Sequence, residues 1–229
     1  MKRHLLLVIA GMLLFSACGK KKQDTLDEQT EEAIKATEET ETLHITLNRY
    51  EQDLFKAKTI EDLLALQPTY PMLGDSADIK QNGMMVIGWT NDPYIKKLYN
   101  QTQQAFPNTD SLNQQLDKAL TLYRYYFPEA KTPNAITYIS GLDFEAPIKL
   151  FDTTIAIALD MYLGANSACY KIQEMPRYRA LLCDKAYMLS DCMKELAYNH
   201  IADNSPNTLL EAMIFEGKRI YFAKAMLPQ

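Results

Sequence analysis

Two runs, "NAITYIS" at 134–140 and "TTIAIALD" at 153–160, interrupt a chain whose other apolar residues mostly recur at helical spacing. Both alternate, both are rich in β-branched residues, and turn residues bound both, so they read as strands. A shorter strand fits between them at 147–150. A third alternating stretch, around Ile45 and Leu47, reads as a strand running into a helix. A chain with this order folds as α+β, with a small mixed sheet packed against helices and a mostly helical C-terminal half.

Helical spacing accounts for most of the remainder. Segment 60–66 reads as a short helix, 94–106 as a second that stops at Pro107, and a third follows, capped by Asp110 or Ser111. That third helix carries Leu112, Leu116, Ala119 and Tyr123 on one face and ends before Pro128. Between 67 and 91 the prolines and glycines read as loops, with "MMVIGW" as an apolar anchor. Past Pro176 the pattern gives a brief helix, then one over 189–200. A last helix starts near Pro206, whose preceding Ser205 suits a helix start.

The N-terminus belongs to a different regime. Lys2 and Arg3 precede a short apolar run over 5–15, and Ser16, Ala17 and Gly19 surround Cys18. This is a secretory leader over 1–17. The run is too short to span a bilayer, which takes about 20 apolar residues. The cysteine among small residues resembles the bacterial lipobox, in which the thiol is acylated after cleavage. The other reading is an ordinary leader with a chance cysteine. Removing the leader moves the formal charge from −5 to −7, and nothing suggests affinity for nucleic acid.

Residues 18–42 hold eight acidic side chains and no aromatic one. Such a segment buries too little apolar surface to order itself, so it reads as a flexible acidic tether reaching roughly 25–30 Å. Lys20, Lys21 and Lys22 could touch lipid headgroups. Residues 43–229 are enough for one domain with a core. They carry three cysteines, Cys169, Cys183 and Cys192, read either as buried free thiols or as one disulfide with one thiol left over.

Catalytic motifs are sparse. HExxH, GxSxG and the phosphate-binding glycine loop are all missing from the sequence, so neither a metal nor a cofactor is expected. Of the polar residues, Asp160 either caps the segment after its strand or lines a cleft at the strand end, together with Tyr162, Asp191 and His200. Glu216 sits in the stripe formed by Leu209, Met213, Ile220, Ala223 and Leu227, where a carboxylate must be paired, hydrogen-bonded or protonated. Arg219 and Lys218 are its local candidates.

In order along the chain, "RYEQDLF", "YRYYFP", "ITYISGLDF", "IAIALDMYLG", "MPRY" and "LLEAMIFEGKRIYF" resemble the gliding-motility lipoprotein GldB family of the Bacteroidota. The resemblance covers everything after the tether, and the lipobox agrees with it independently. It implies a lipoprotein anchored to the outer membrane through Cys18, on the periplasmic face or at the cell surface. It implies a role in gliding or type IX secretion through contacts with other envelope proteins, without catalysis.

The same family is similar, more distantly, to zincin metallopeptidases, which makes Glu216 of "MIFEGK" a vestigial metal-ligand position. The helix "SDCMKELAYNH" lacks the histidine pair that zinc would need, so the implied scaffold is a degenerate zincin. Relatives continue past the equivalent of "AMLP" with further helices. On that ground the chain is expected to be a truncated product with an exposed face on its last helix, or a naturally short form. Two other functions stay open: a peptidase with an atypical ligand set around Glu216, His200 and Asp191, or a surface lipoprotein binding a small ligand or glycan. An aromatic-lined pocket near the strand ends would favour the last.

Overall fold

The structure is a computed structural model and describes residues 24–38, 42–172, 174–201 and 208–227. The leader expected over 1–17, the expected acylation site Cys18 and the helix start expected at Ser205 and Pro206 lie outside the described residues. In chain order the helices are α1 (Asp24–Glu38), α2 (Tyr50–Lys56), α3 (Ile60–Leu66), α4 (Ser76–Asn91), α5 (Pro93–Ala105) and α6 (Asp110–Tyr126). After the strands come α7 (Ala168–Ile172), α8 (Arg177–Ala180), α9 (Lys185–Leu196) and α10 (Leu209–Met226).

Four strands form one mixed sheet: β1 (Leu47–Asn48), β2 (Asn134–Tyr138), β3 (Ile148–Phe151) and β4 (Thr154–Ala158), in the order β1-β2-β4-β3. β2 runs parallel to both β1 and β4, while β3 closes the far edge as an antiparallel hairpin partner of β4. The strand runs are β-branched because these strands are covered on both faces. On one face Ile136 and Ala156 meet Tyr70. On the other Ala135, Ile155 and Ile157 join the main core with Leu116, Leu120 and Met193 from α6 and α9. The fold is α+β, as the sequence pattern indicates.

Three expectations are corrected. Residues 76–91 form a helix, not a loop: Asp75 accepts from the backbone N–H groups of Ala77 at 2.7 Å and Asp78 at 2.9 Å, and Asp78 caps back. Gly83 read as a breaker, yet it serves packing. A Cβ there would stand 3.1 Å from Leu63 of α3, so the glycine lets the two helices approach. Second, α6 starts after Thr109, with Asp110 as its first helical residue and no side-chain cap.

Third, residues 24–38, within the stretch expected to be a flexible tether, form α1, which packs on α6 and α10. Among its described side chains Thr30, Ala33 and Thr37 are buried, a narrow stripe of small side chains that close packing on a neighbour selects. The last two helices shift as well. α9 begins at Lys185, capped by Asp184, and gives way after Leu196 to a 3-10 turn, Ala197–Asn199. α10 begins with a reciprocal Thr208–Glu211 capping box.

Candidate functional site

At the carboxyl ends of the parallel strands β2 and β4 the chain opens into a cleft of about 700 Å³. Open sheets with parallel strands commonly place their binding crevices at this end. Pro147 and Ile148 reach it from the start of β3, Met161 and Tyr162 from the 3-10 turn after β4, and α8, α9 and α10 supply the rest. Phe144, Tyr178, Tyr187 and Tyr198 stand around its rim, and Tyr178 is 67% and Tyr198 43% exposed.

Asp191, Lys194, Glu195, Glu216 and Arg219 form a paired set at one side of the cleft. Tyr162 donates from its hydroxyl to Asp191 Oδ2 at 3.0 Å, and Lys194 Nζ donates to Asp191 Oδ1 at 2.9 Å. Arg219, from α10, donates through Nη1 to both carboxylate oxygens of Glu216 at 2.9 and 3.1 Å. Its Nε bonds the Lys194 carbonyl, its Nη2 stands 3.8 Å from Glu195, and its plane lies 4.2 Å from the Tyr198 ring centroid. Arg179 lies over the Phe144 ring at 5.0 Å and makes no ion pair among the described residues. Burial raises the Glu195 carboxyl, with Arg219 opposing, and burial raises the Cys183 thiol at the cleft wall. The cleft therefore offers aromatic faces, one unpaired guanidinium and neutralised ion pairs, but no thiolate nucleophile at neutral pH.

Of the residues singled out from sequence, Tyr162 and Asp191 meet in this cleft. Asp160 is fully buried behind it. Its carboxylate accepts from Ser140 N at 2.9 Å, Ser140 Oγ at 2.9 Å and Leu142 N at 2.8 Å. It thus pins a loop in which Gly141 and Leu142 both have positive φ, 76° and 69°; for leucine that conformation is costly and must be held. It neither caps a helix nor lines the cleft.

His200 lies elsewhere, in a second groove between α1, α6 and α10 lined by Gln29, Phe127 and Tyr221. Its Nε2 is 2.9 Å from the Tyr123 hydroxyl, its ring stacks on Phe127 at 3.8 Å, and burial lowers its pKa.

Glu216 is solvent-facing and paired with Arg219, so the inward stripe expected of α10 is rotated. The helix buries Phe222, Ala223, Ala225 and Met226, while Leu209, Met213 and Ile220 face outward. The zincin likeness gains nothing from this geometry. A guanidinium stands between Glu195 and Glu216, and no group of three or more His, Cys, Asp or Glu that could hold a metal occurs among the described residues. The three thiols are buried and free.

One polar cluster was not found from sequence. Glu51, 1% exposed, accepts from Arg49 Nε at 2.5 Å and from Thr137 Oγ1 at 2.6 Å. Gln103 bridges it to Gln52 and Arg49. The pair Arg49–Glu51 sits in "RYEQDLF" and ties α2 and α5 to β2. The signal available was a charged pair two residues apart where a strand passes into a helix.

No helix among the described residues is long and apolar enough to cross a membrane. No curated protein and no solved structure matches the chain. A family model described as gliding motility protein GldB matches residues 28–229. That span includes α1 from residue 28 on, the cleft, the Arg49–Glu51 cluster and α10, and over it the chain belongs to the gliding motility protein GldB family.

Proposed function

We propose that this protein is an envelope lipoprotein, anchored through Cys18 to the outer membrane, that supports gliding motility or type IX secretion by binding another envelope protein and not by catalysis. Family membership supports the motility association. The observation that carries the binding role is the rim of the cleft, where Phe144, Tyr178, Tyr187 and Tyr198 are all more than 40% exposed beside Arg179. Tyrosine and arginine dominate the binding energy of protein interfaces, and here they project from a scaffold fixed by Asp160 and the Tyr162–Asp191–Lys194 chain. Bound from outside, a polypeptide segment would lie across the tyrosines with a carboxylate at Arg179.

A second reading has support in the same residues. Aromatic side chains at the strand ends also offer faces on which sugar rings stack, which favours a glycan as occupant. The test is deletion of the gene in its own bacterium, complemented with the wild-type chain and with Tyr178→Ala/Tyr198→Ala, scoring colony spreading and the secreted proteome together. The expected result is loss of spreading or secretion on deletion, rescue by the wild type, and no rescue by the variant at equal protein level. Full rescue by the variant overturns the role of the cleft, and an unchanged deletion strain overturns the motility and secretion reading.

A further inference from the structure

Helix α10 is apolar around most of its circumference, yet the domain covers only one side of it. At 100° per residue Leu209, Leu210, Met213, Ile214, Ile220 and Tyr221 fall within an arc about 140° wide, and each is at least half exposed. Lys224 is the one charged residue in that arc. At its centre Gly217 has open space where a Cβ would stand. The outer face of a surface helix is ordinarily polar, and a contiguous apolar patch marks an interaction site.

The position and size of this face indicate what covers it. α1 begins at Asp24, six residues after Cys18, so the anchor point lies within about 20 Å of the start of α1. α1 packs on α10, and its Gln29 shares a groove with Ile214, Gly217, Lys218 and Tyr221. The anchor is therefore tied to the side of the domain that carries the bare face. Tyr221 within the arc and Lys218 beside it share the groove with α1, and these are side chains that place an apolar body in the headgroup zone and a polar tip in water.

A second copy of the chain fits less well. An 18-residue helix is about 27 Å long, and one strip of six side chains on it falls short of the ~800 Å² of accessible surface that each partner of a stable pair buries. A membrane surface held nearby by the anchor needs no such area, because the second contact is intramolecular.

We propose that the outer face of α10 rests in the headgroup region of the membrane to which Cys18 tethers the chain, giving the domain a second, orienting contact; this rests on the lipid-anchor reading above. The helix lies in the plane of the surface with its apolar side sunk about 5–10 Å. Arg219 points the other way, into the cleft, so this seating turns the tyrosine rim away from lipid and toward a partner.

The test uses the full-length acylated protein in phosphatidylethanolamine–phosphatidylglycerol vesicles. A fluorophore is attached at Met213→Cys or Ile214→Cys, with Lys80→Cys on α4 as the control; the native thiols are buried. Lipid-borne nitroxide is expected to remove most of the fluorescence at 213 and 214 and little at 80. Equal quenching at all three sites overturns the proposal. So do labels at 213 and 214 that are shielded from aqueous iodide yet unquenched by lipid, the signature of a protein occupant. Flotation and the mass of the Cys18 peptide are read on the same samples. Unacylated protein that stays in solution overturns the anchor reading together with the proposal, whereas acylated, floating protein with labels in water overturns the proposal alone.

Discussion

Removing Arg49 from beside Glu51 would leave a carboxylate of 1% exposure with only neutral donors. Breaking a buried pair from one side costs far more than replacing both partners. Arg49→Met is therefore expected to lower unfolding free energy by about 3–5 kcal/mol in urea titration, with Arg49→Met/Glu51→Gln recovering most of the loss. A double variant no better than the single one would show that the arginine acts through packing alone. His200 gives a pH dependence whose sign follows from burial. Its pKa is lowered from 6.5 in the fold, so the unfolded chain takes up the proton first. Stability is full above the ordinary value and falls as pH drops through the lowered one. The urea midpoint should decrease on going from pH 7.5 to pH 5.5, and His200→Gln should shrink that difference.

At the scale of elements, helices α4 and α10 make opposite use of glycine and apolar side chains. Gly88 of α4 faces open space, so Gly88→Ala should stabilise the protein by roughly 0.5–1 kcal/mol, read as a raised urea midpoint. Gly83 faces Leu63 and gains nothing so cleanly. In α10 the two faces separate by burial: Met226→Ala should cost about 2–5 kcal/mol, whereas Met213→Glu or Ile214→Glu should stay within about 0.5 kcal/mol of wild type. Equal costs on the two faces would mean that the outward residues are covered within the folded chain.

For the whole molecule, the cleft and the bare face of α10 lie on different sides of the same helix, and they should fail independently. Tyr178→Ala/Tyr198→Ala should cost the fold only about 1 kcal/mol, from the Arg219–Tyr198 contact, while abolishing rescue of spreading and secretion. Leu210→Glu/Ile214→Glu should keep the cleft intact and remove binding of a hydrophobic dye by the native protein. Dye binding that survives the α10 double variant would locate the exposed apolar surface elsewhere.

The local signals in the sequence were sufficient for β2 and β4, for the short strand between them, and for α3, α5 and α6. Strand alternation, β-branching and helical spacing act over a few residues, and here nothing at long range opposed them. The helix at 76–91 was not legible, because a glycine that breaks an isolated helix is the residue that lets two helices meet, and only Leu63 across the interface decides which. α1 was hidden by its composition: an acidic segment buries little, and three small residues suffice once α6 and α10 are there to receive them.

The site divides in the same way. Tyr162 and Asp191 belonged together, but the cleft they line is made by five separate segments, and its tyrosine rim has no local pattern. Asp160 went to a loop and His200 to another groove because packing, not proximity in the chain, assigns a polar side chain its donors. α10 shows the limit most clearly. Its sequence pattern indicated a helix, read as starting near Pro206 and not at the Thr208 cap that the structure shows, with apolar residues throughout, but an all-round apolar helix has no preferred face in sequence. The tertiary structure chose Phe222 and Met226 for the core and left Leu210 and Ile214 outside, since burial energy counts area and the neighbouring helices were available on one side only.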